Sequence, residues 1–106
     1  MLDKYLEGFT SMQAGRIKKI LSKVYRYGGV VMSRAAWVEA TLQDGYKTAF
    51  VKGVYTGGKK WVEAEYGWGG EWVYTQKDEY QLQKDNYSYT ITKTEYDYAN
   101  YLTEVM

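Results

Sequence analysis

The stretch AWVEATLQDGYKTAFVKGVYT (residues 36–56) decides the fold that the sequence predicts. Asp44-Gly45 at its centre is a two-residue signal for a type I′ hairpin turn, which requires a strand on either side. Residues 46–56 are rich in β-branched and aromatic side chains and predict the second strand. The first strand is predicted at least over 36–43, where apolar residues alternate. A helix capped by Ser33 is the alternative for that segment.

Short β segments separated by turn signals continue from this hairpin to residue 92. The turn signals are Thr56-Gly57-Gly58-Lys59, Gly67-Trp68-Gly69-Gly70, Lys77-Asp78 and Lys84-Asp85-Asn86, and the strands that follow them are 60–66, 71–76, 79–83 and 87–92. Connections this short join antiparallel neighbours, because a parallel crossover needs about a dozen residues or more. The sequence therefore predicts an antiparallel β-meander of five to six strands.

Two capping-box patterns predict the longer helices. Thr10-Ser11-Met12-Gln13 begins an amphipathic helix over 11–27, which Gly28-Gly29 ends. Thr92-Lys93-Thr94-Glu95 begins a C-terminal helix, and residues 2–8 form a short helix at the N-terminus. Residues 30–36 suit either a strand or a helix. The whole chain, 1–106, is thus predicted to be a single α+β domain in which helices cover one face of the sheet.

The composition excludes several classes of chemistry. The 106 residues include no cysteine and no histidine, so disulfides, thiol nucleophiles, the usual general base and the commonest metal ligand are all missing. Phosphate-binding and dinucleotide-binding motifs are also missing, and paired carboxylates such as Glu63 and Glu65 are common on exposed strands. We therefore predict a protein that is not an enzyme and uses no metal or cofactor. Without a signal peptide or a membrane-spanning apolar run, the predicted location is cytoplasmic.

The charge of the chain is divided between its two halves. Residues 1–60 contain eleven Lys or Arg and four Asp or Glu, whereas residues 61–106 contain three and nine. Such asymmetry indicates charged partners. Four cations of the predicted first helix fall within an arc of about 80°; this basic ridge consists of Arg16, Lys19, Lys23 and Arg26. It suits a phosphate backbone or an acidic protein surface, and a merely solvated helix face is the alternative.

The second candidate surface combines aromatic and acidic residues. Trp68 stands among Gly67, Gly69 and Gly70 and is predicted at an exposed loop tip, whereas Trp61 and Trp72 are predicted in the core. The candidate binding residues of this surface are Trp68, Tyr66, Glu63, Glu65 and Glu71. Carboxylates interleaved with aromatic rings can imitate a nucleic-acid strand and occupy the groove of a nucleic-acid-binding protein. The alternative is that these acids face the basic helix within the same molecule, or only make a sheet soluble.

In composition, the chain resembles small phage and mobile-element accessory proteins, including anti-CRISPR and other anti-defence inhibitors. The shared features are small size, many tyrosines and a dipolar charge distribution. The resemblance implies an inhibitor or adaptor that binds a nucleic-acid-handling host protein through the acidic, aromatic surface. The alternative function is direct nucleic-acid binding through the basic ridge. The sequence is also compatible with a homo-oligomer.

Overall fold

The structure is a computed structural model that describes residues 1–64 and 67–105. Its elements are α1 (Leu2–Leu6), α2 (Ser11–Leu21), β1 (Val24–Tyr27), β2 (Val30–Ser33), α3 (Arg34–Gln43), β3 (Lys47–Glu63), β4 (Gly70–Lys84), β5 (Tyr87–Ile91) and α4 (Lys93–Val105). The strands form two antiparallel sheets, one in the order β1-β2 and one in the order β3-β4-β5. The α+β class is therefore confirmed, but the single meander of five to six strands is replaced by these two sheets.

The chain divides into two compact units. The core unit comprises Met1–Ala49 and Tyr80–Met106, and the hairpin unit comprises Phe50–Glu79. The core unit contains the hydrophobic core, whose most completely buried large side chains are Leu21, Val38, Leu82, Tyr98 and Leu102. Helices α2, α3 and α4 pack on one another around these residues. No helix in the described part of the chain is long and apolar enough to cross a membrane.

Helix α2 begins where the capping box predicts but ends six residues early. The Gln13 amide donates to Thr10 Oγ1 and the Thr10 amide donates to Gln13 Oε1, both at 3.3 Å. The predicted helix over 11–27 is wrong beyond Leu21, because residues 24–27 form β1. Gly28 and Gly29 have φ values of 57° and 91° and connect β1 to β2. Positive φ at both central residues is what a type I′ hairpin turn requires.

Residues 34–43 form helix α3, so the predicted strand over 36–43 is wrong. The alternative was a helix capped by Ser33, and Ser33 Oγ indeed accepts a hydrogen bond from the Ala36 amide at 3.1 Å. Asp44 is the C-cap, and Gly45 adopts φ 101°. The Gly45 amide donates to the Leu42 carbonyl and the Tyr46 amide donates to the Thr41 carbonyl, each at 3.1 Å. These two bonds form a Schellman motif, which ends α3.

Replacing Gly45 with alanine should lower the free energy of unfolding by about 1 kcal/mol, because a Cβ strains the backbone at this φ. Gly15→Ala is the matched control. Gly15 lies within α2 with no atom near its missing Cβ, so alanine there should raise the stability by about 0.5–1 kcal/mol. Urea denaturation followed by circular dichroism measures both changes. Equal effects of the two substitutions would contradict the Schellman assignment.

The later strands are fewer and longer than predicted. Strand β3 includes the predicted turn at Gly57-Gly58, and β4 includes the predicted turn at Lys77-Asp78. Strand β5 and helix α4 lie where the sequence predicts them. The capping box of α4 is formed by Thr92 and Glu95: the Glu95 amide donates to Thr92 Oγ1 at 3.2 Å, and the Thr92 amide donates to Glu95 Oε1 at 3.1 Å.

Candidate binding surfaces

Four aromatic side chains lie on one face of the hairpin unit. The ring centroids of Tyr55 and Tyr74 are 5.2 Å apart, and those of Trp61 and Trp72 are 5.6 Å apart. Because side chains two residues apart share a face of a strand, Trp72 and Tyr74 join the two pairs into one surface. We call these four residues the aromatic face. The Lys59 ammonium lies 4.9 Å from the centroid of the Tyr74 ring.

The aromatic face is open to solvent. Its side chains are between 47% (Trp61) and 65% (Trp72) exposed, so the prediction that these two tryptophans are core residues is wrong. Tryptophan is highly buried on average because a second layer of structure normally covers it. In the hairpin unit, none of the described residues (50–64 and 67–79) is buried. The two strands therefore form a single layer without a core of its own.

The opposite face of the hairpin unit is more polar. Thr56 and Thr75 contact each other through their hydroxyl groups across the two strands. Val62 and Val73 also belong to this face, since each follows a tryptophan of the aromatic face directly in its strand. The hairpin unit thus has one aromatic side and one mixed side.

The turn of the hairpin unit presents Trp68, which is 85% exposed. A surface depression of about 360 Å³ is lined by Val62, Glu63, Ala64, Trp68, Gly70 and Glu71. Glycine is needed at position 70, because a Cβ there would collide with the Val62 carbonyl and the Trp61 ring. The structure therefore brings together Trp68, Glu63 and Glu71 of the predicted surface, and we call these three residues the tip. The other two predicted residues, Glu65 and Tyr66, lie outside the described residues.

Both carboxylates of the tip are available to a partner. Glu63 and Glu71 are exposed, and neither is paired with a cation within residues 1–64 and 67–105. An exposed indole beside two unpaired carboxylates offers apolar contact area together with negative charge.

The four cations of the basic ridge do not lie on one helix. Arg16 and Lys19 belong to α2, Lys23 follows it, and Arg26 lies on β1, because α2 ends at Leu21. All four side chains are exposed. In the described part of the chain the ion pairs are Arg34–Glu95, Lys77–Glu79, Lys84–Asp44 and Lys93–Asp97. The ridge is therefore not neutralised by acidic groups of the described residues.

Arg34 and Glu95 form a polar cluster in which Glu95 is buried and Arg34 is partly buried. Arg34 Nε donates to Glu95 Oε2 at 2.6 Å, and Arg34 Nη1 donates to the Tyr27 hydroxyl at 2.5 Å. The guanidinium carbon lies 4.2 Å from the Trp37 ring centroid. Burial lowers the pKa of Arg34, but the hydrogen bonds to Tyr27 and Glu95 outweigh burial and raise that pKa above its ordinary value.

The only sign of this cluster in the sequence is that Arg34 interrupts the apolar alternation of residues 30–42. The charges of Arg34 and Glu95 pair with each other, and the hydrogen bonds of Arg34 connect α3 to Glu95 in α4 and to Tyr27 in β1. We therefore assign the cluster to stability and not to binding.

No cluster of metal ligands is present in the part of the chain that the structure describes. Among residues 1–64 and 67–105, no three carboxylate, histidine or cysteine groups are close enough to hold a metal ion. A depression of about 560 Å³ in the core unit is lined by Leu42, Gly45, Tyr46, Lys47, Thr48 and Thr103, of which Lys47 alone is charged. No protein-family model, curated protein or solved structure matches this chain.

Proposed function

We propose that the protein is a non-catalytic inhibitor or adaptor, acting in the cytoplasm, that docks the tip of its hairpin unit onto a partner protein. The observation that carries this proposal is the exposure of Trp68, which is 85% accessible and shares a depression with Glu63 and Glu71. Tryptophan dominates the binding energy of many protein interfaces when it enters a pocket of the partner. Polar groups around the tryptophan then exclude water from the contact and fix the orientation of the two proteins.

The carboxylates of the tip indicate the kind of partner. Glu63 and Glu71 present two negative charges beside an aromatic ring, which is the combination that a basic, base-stacking groove accepts. The proposed partner is therefore a nucleic-acid-handling protein, whose groove the tip occupies in place of nucleic acid. The surface predicted from the sequence also includes Glu65 and Tyr66, which lie outside the described residues. This is the mode of action of an anti-CRISPR-like or other anti-defence inhibitor.

Affinity capture followed by competition tests the proposal. Proteins that remain bound to the immobilised chain after nuclease treatment are identified by mass spectrometry and purified, and their nucleic-acid binding is titrated with the chain. We expect competition by the wild-type protein and a loss of about 30- to 100-fold in affinity for Trp68→Ala, the range of an interface hot spot. Tyr87→Ala, which truncates an exposed ring of the core unit, is the matched control and should compete like the wild type.

Direct nucleic-acid binding is the second candidate, favoured by the four cations of the basic ridge, which are exposed and form no ion pair with the acidic groups of residues 1–64 and 67–105. A gel shift with mixed RNA and DNA at low salt separates the two functions. Binding that weakens steeply with salt, and that disappears when Arg16, Lys19, Lys23 and Arg26 are all changed to glutamate, would replace the inhibitor by a nucleic-acid-binding module. The absence of a shift, together with competition at the tip, supports the inhibitor.

A further inference from the structure

The aromatic face consists of residues other than those of the tip, and within the described residues of the hairpin unit nothing covers it. Each of its four residues is at least 47% exposed, and no side chain among residues 50–64 and 67–79 is buried. We infer that this face is the interface of a homodimer, in which the aromatic faces of two copies pack against each other. The inference goes beyond the proposed function, because it concerns different residues and a different partner.

The first argument is the stability of the hairpin unit. A two-stranded hairpin is marginally stable in water unless a third strand, a helix or another layer packs on its apolar face. Two sheets packed face to face interdigitate their inner side chains at a separation of about 10 Å. A second hairpin unit supplies such a layer, and it carries the same four rings. Twofold dimers commonly arise in this way, since one patch contacts an identical patch.

The second argument is the shape and charge of the face. A depression of about 420 Å³ is lined by Tyr55, Tyr74 and Gln76, and it offers a recess for a ring of the second copy. Lys59 lies against the Tyr74 ring, and the Asp78 carboxylate at the far end of the face accepts a hydrogen bond from the Gly53 amide. Glu63, two residues after Trp61 in its strand, lies on the same side at the other end. Because the face carries charges of both signs spread along it, two identical faces meet without opposing a cluster of like charges. A polyanion or a strongly charged groove would find little complementary charge here.

The third argument is area. A tyrosine or tryptophan buries roughly 150–250 Å² when it is completely covered. With 47% to 65% of each of the four side chains still exposed, pairing two faces would bury roughly 900 Å² in total. This value lies at the low end for protein interfaces, where association is typically reversible. We therefore expect monomers and dimers to exchange in the micromolar range.

Sedimentation equilibrium of the full chain from about 1 to about 500 µM tests the inference. The mass-average should rise from 12.4 kDa towards twice that value. Trp61→Lys and Trp72→Lys each place a charge within the proposed interface and should keep the chain monomeric at every concentration. Val62→Lys and Val73→Lys are matched controls, since they place the same charge one residue further along each strand on the opposite face. Both controls should dimerise like the wild type.

Several outcomes would overturn the inference: a monomer at the highest concentration, equal loss of dimer in the controls, or growth beyond two copies. Dissociation at about 1 M salt would also do so, because it would indicate pairing of the charged halves instead of the rings. Circular dichroism checks that each variant keeps the core unit folded. Trp68→Ala should leave the dimer intact, so a failed dimer and a failed tip interaction are distinguishable.

Discussion

Replacing Arg34 with methionine should lower the free energy of unfolding by about 3–5 kcal/mol, the usual cost of leaving a buried charge without its partner. Glu95 is only 3% exposed, and its Oε2 accepts the hydrogen bond from Arg34 Nε. Methionine retains most of the apolar length of the side chain but removes every donor. The Tyr27 hydroxyl loses its contact with Arg34 at the same time. Urea denaturation at pH 7 measures the loss.

Arg26→Met is the matched control for this substitution. Arg26 is exposed on β1 and makes no ion pair with the described residues, so we expect a change within about 0.5 kcal/mol. The double variant Arg34→Met/Glu95→Gln removes both charges and keeps an acceptor for Thr92, so it should be more stable than Arg34→Met alone. A loss below about 1 kcal/mol for Arg34→Met would show that Glu95 is solvated and not buried with its partner.

The second large effect is alkaline destabilisation through Tyr98. Burial raises the pKa of the Tyr98 hydroxyl well above its ordinary value of 10.0, and the hydrogen bond that it donates to Glu39 at 2.5 Å raises it further. Above pH 10 the unfolded chain loses this proton while the folded chain keeps it. Stability is therefore fully present below pH 10 and falls as the pH rises above it, by at most about 1.4 kcal/mol per pH unit.

Tyr98→Phe separates this contribution from the others. It should cost about 1 kcal/mol at pH 7, because Glu39 loses a hydrogen bond, and it should make the decline above pH 10 shallower. Some decline should remain, since burial and the charge of Asp97 also raise the pKa of Tyr5. Urea denaturation of both proteins at a series of pH values gives the two slopes. Identical slopes would contradict the assignment to Tyr98.

The sequence predicted the features that depend on neighbouring residues. Both capping boxes are present, at Thr10 and Thr92, because each needs only a hydroxyl and an acceptor three residues later. The sequence predicts a helix end at Gly28-Gly29 and a type I′ turn at Asp44-Gly45. The structure has the reverse, a type I′ turn at Gly28-Gly29 and a helix end at Asp44-Gly45. A type I′ turn and a Schellman motif both need glycine at positive φ, so the local signal is the same. The choice depends on packing, since α3 buries Ala35, Val38 and Thr41 in the core.

The candidate surfaces were predictable to a similar extent. The exposure of Trp68 follows from the glycines around it, which is a local property. The exposure of Trp61 and Trp72 depends on whether a helix or a second sheet covers their strands. The residues next to them in the sequence do not indicate whether such a layer is present. The Arg34–Glu95 pair joins residues 61 positions apart, so neither partner predicts the other. The basic ridge was misplaced because α2 ends at Leu21.

The absence of buried residues in the described part of the hairpin unit has a consequence for how the protein can evolve. Substitutions at exposed positions usually change stability by about 0.5 kcal/mol or less. The rings and carboxylates of the hairpin unit can therefore be exchanged while the core unit retains the packing around Leu21, Leu82 and Tyr98. Selection for a new binding surface can therefore act on one unit while selection for folding acts on the other.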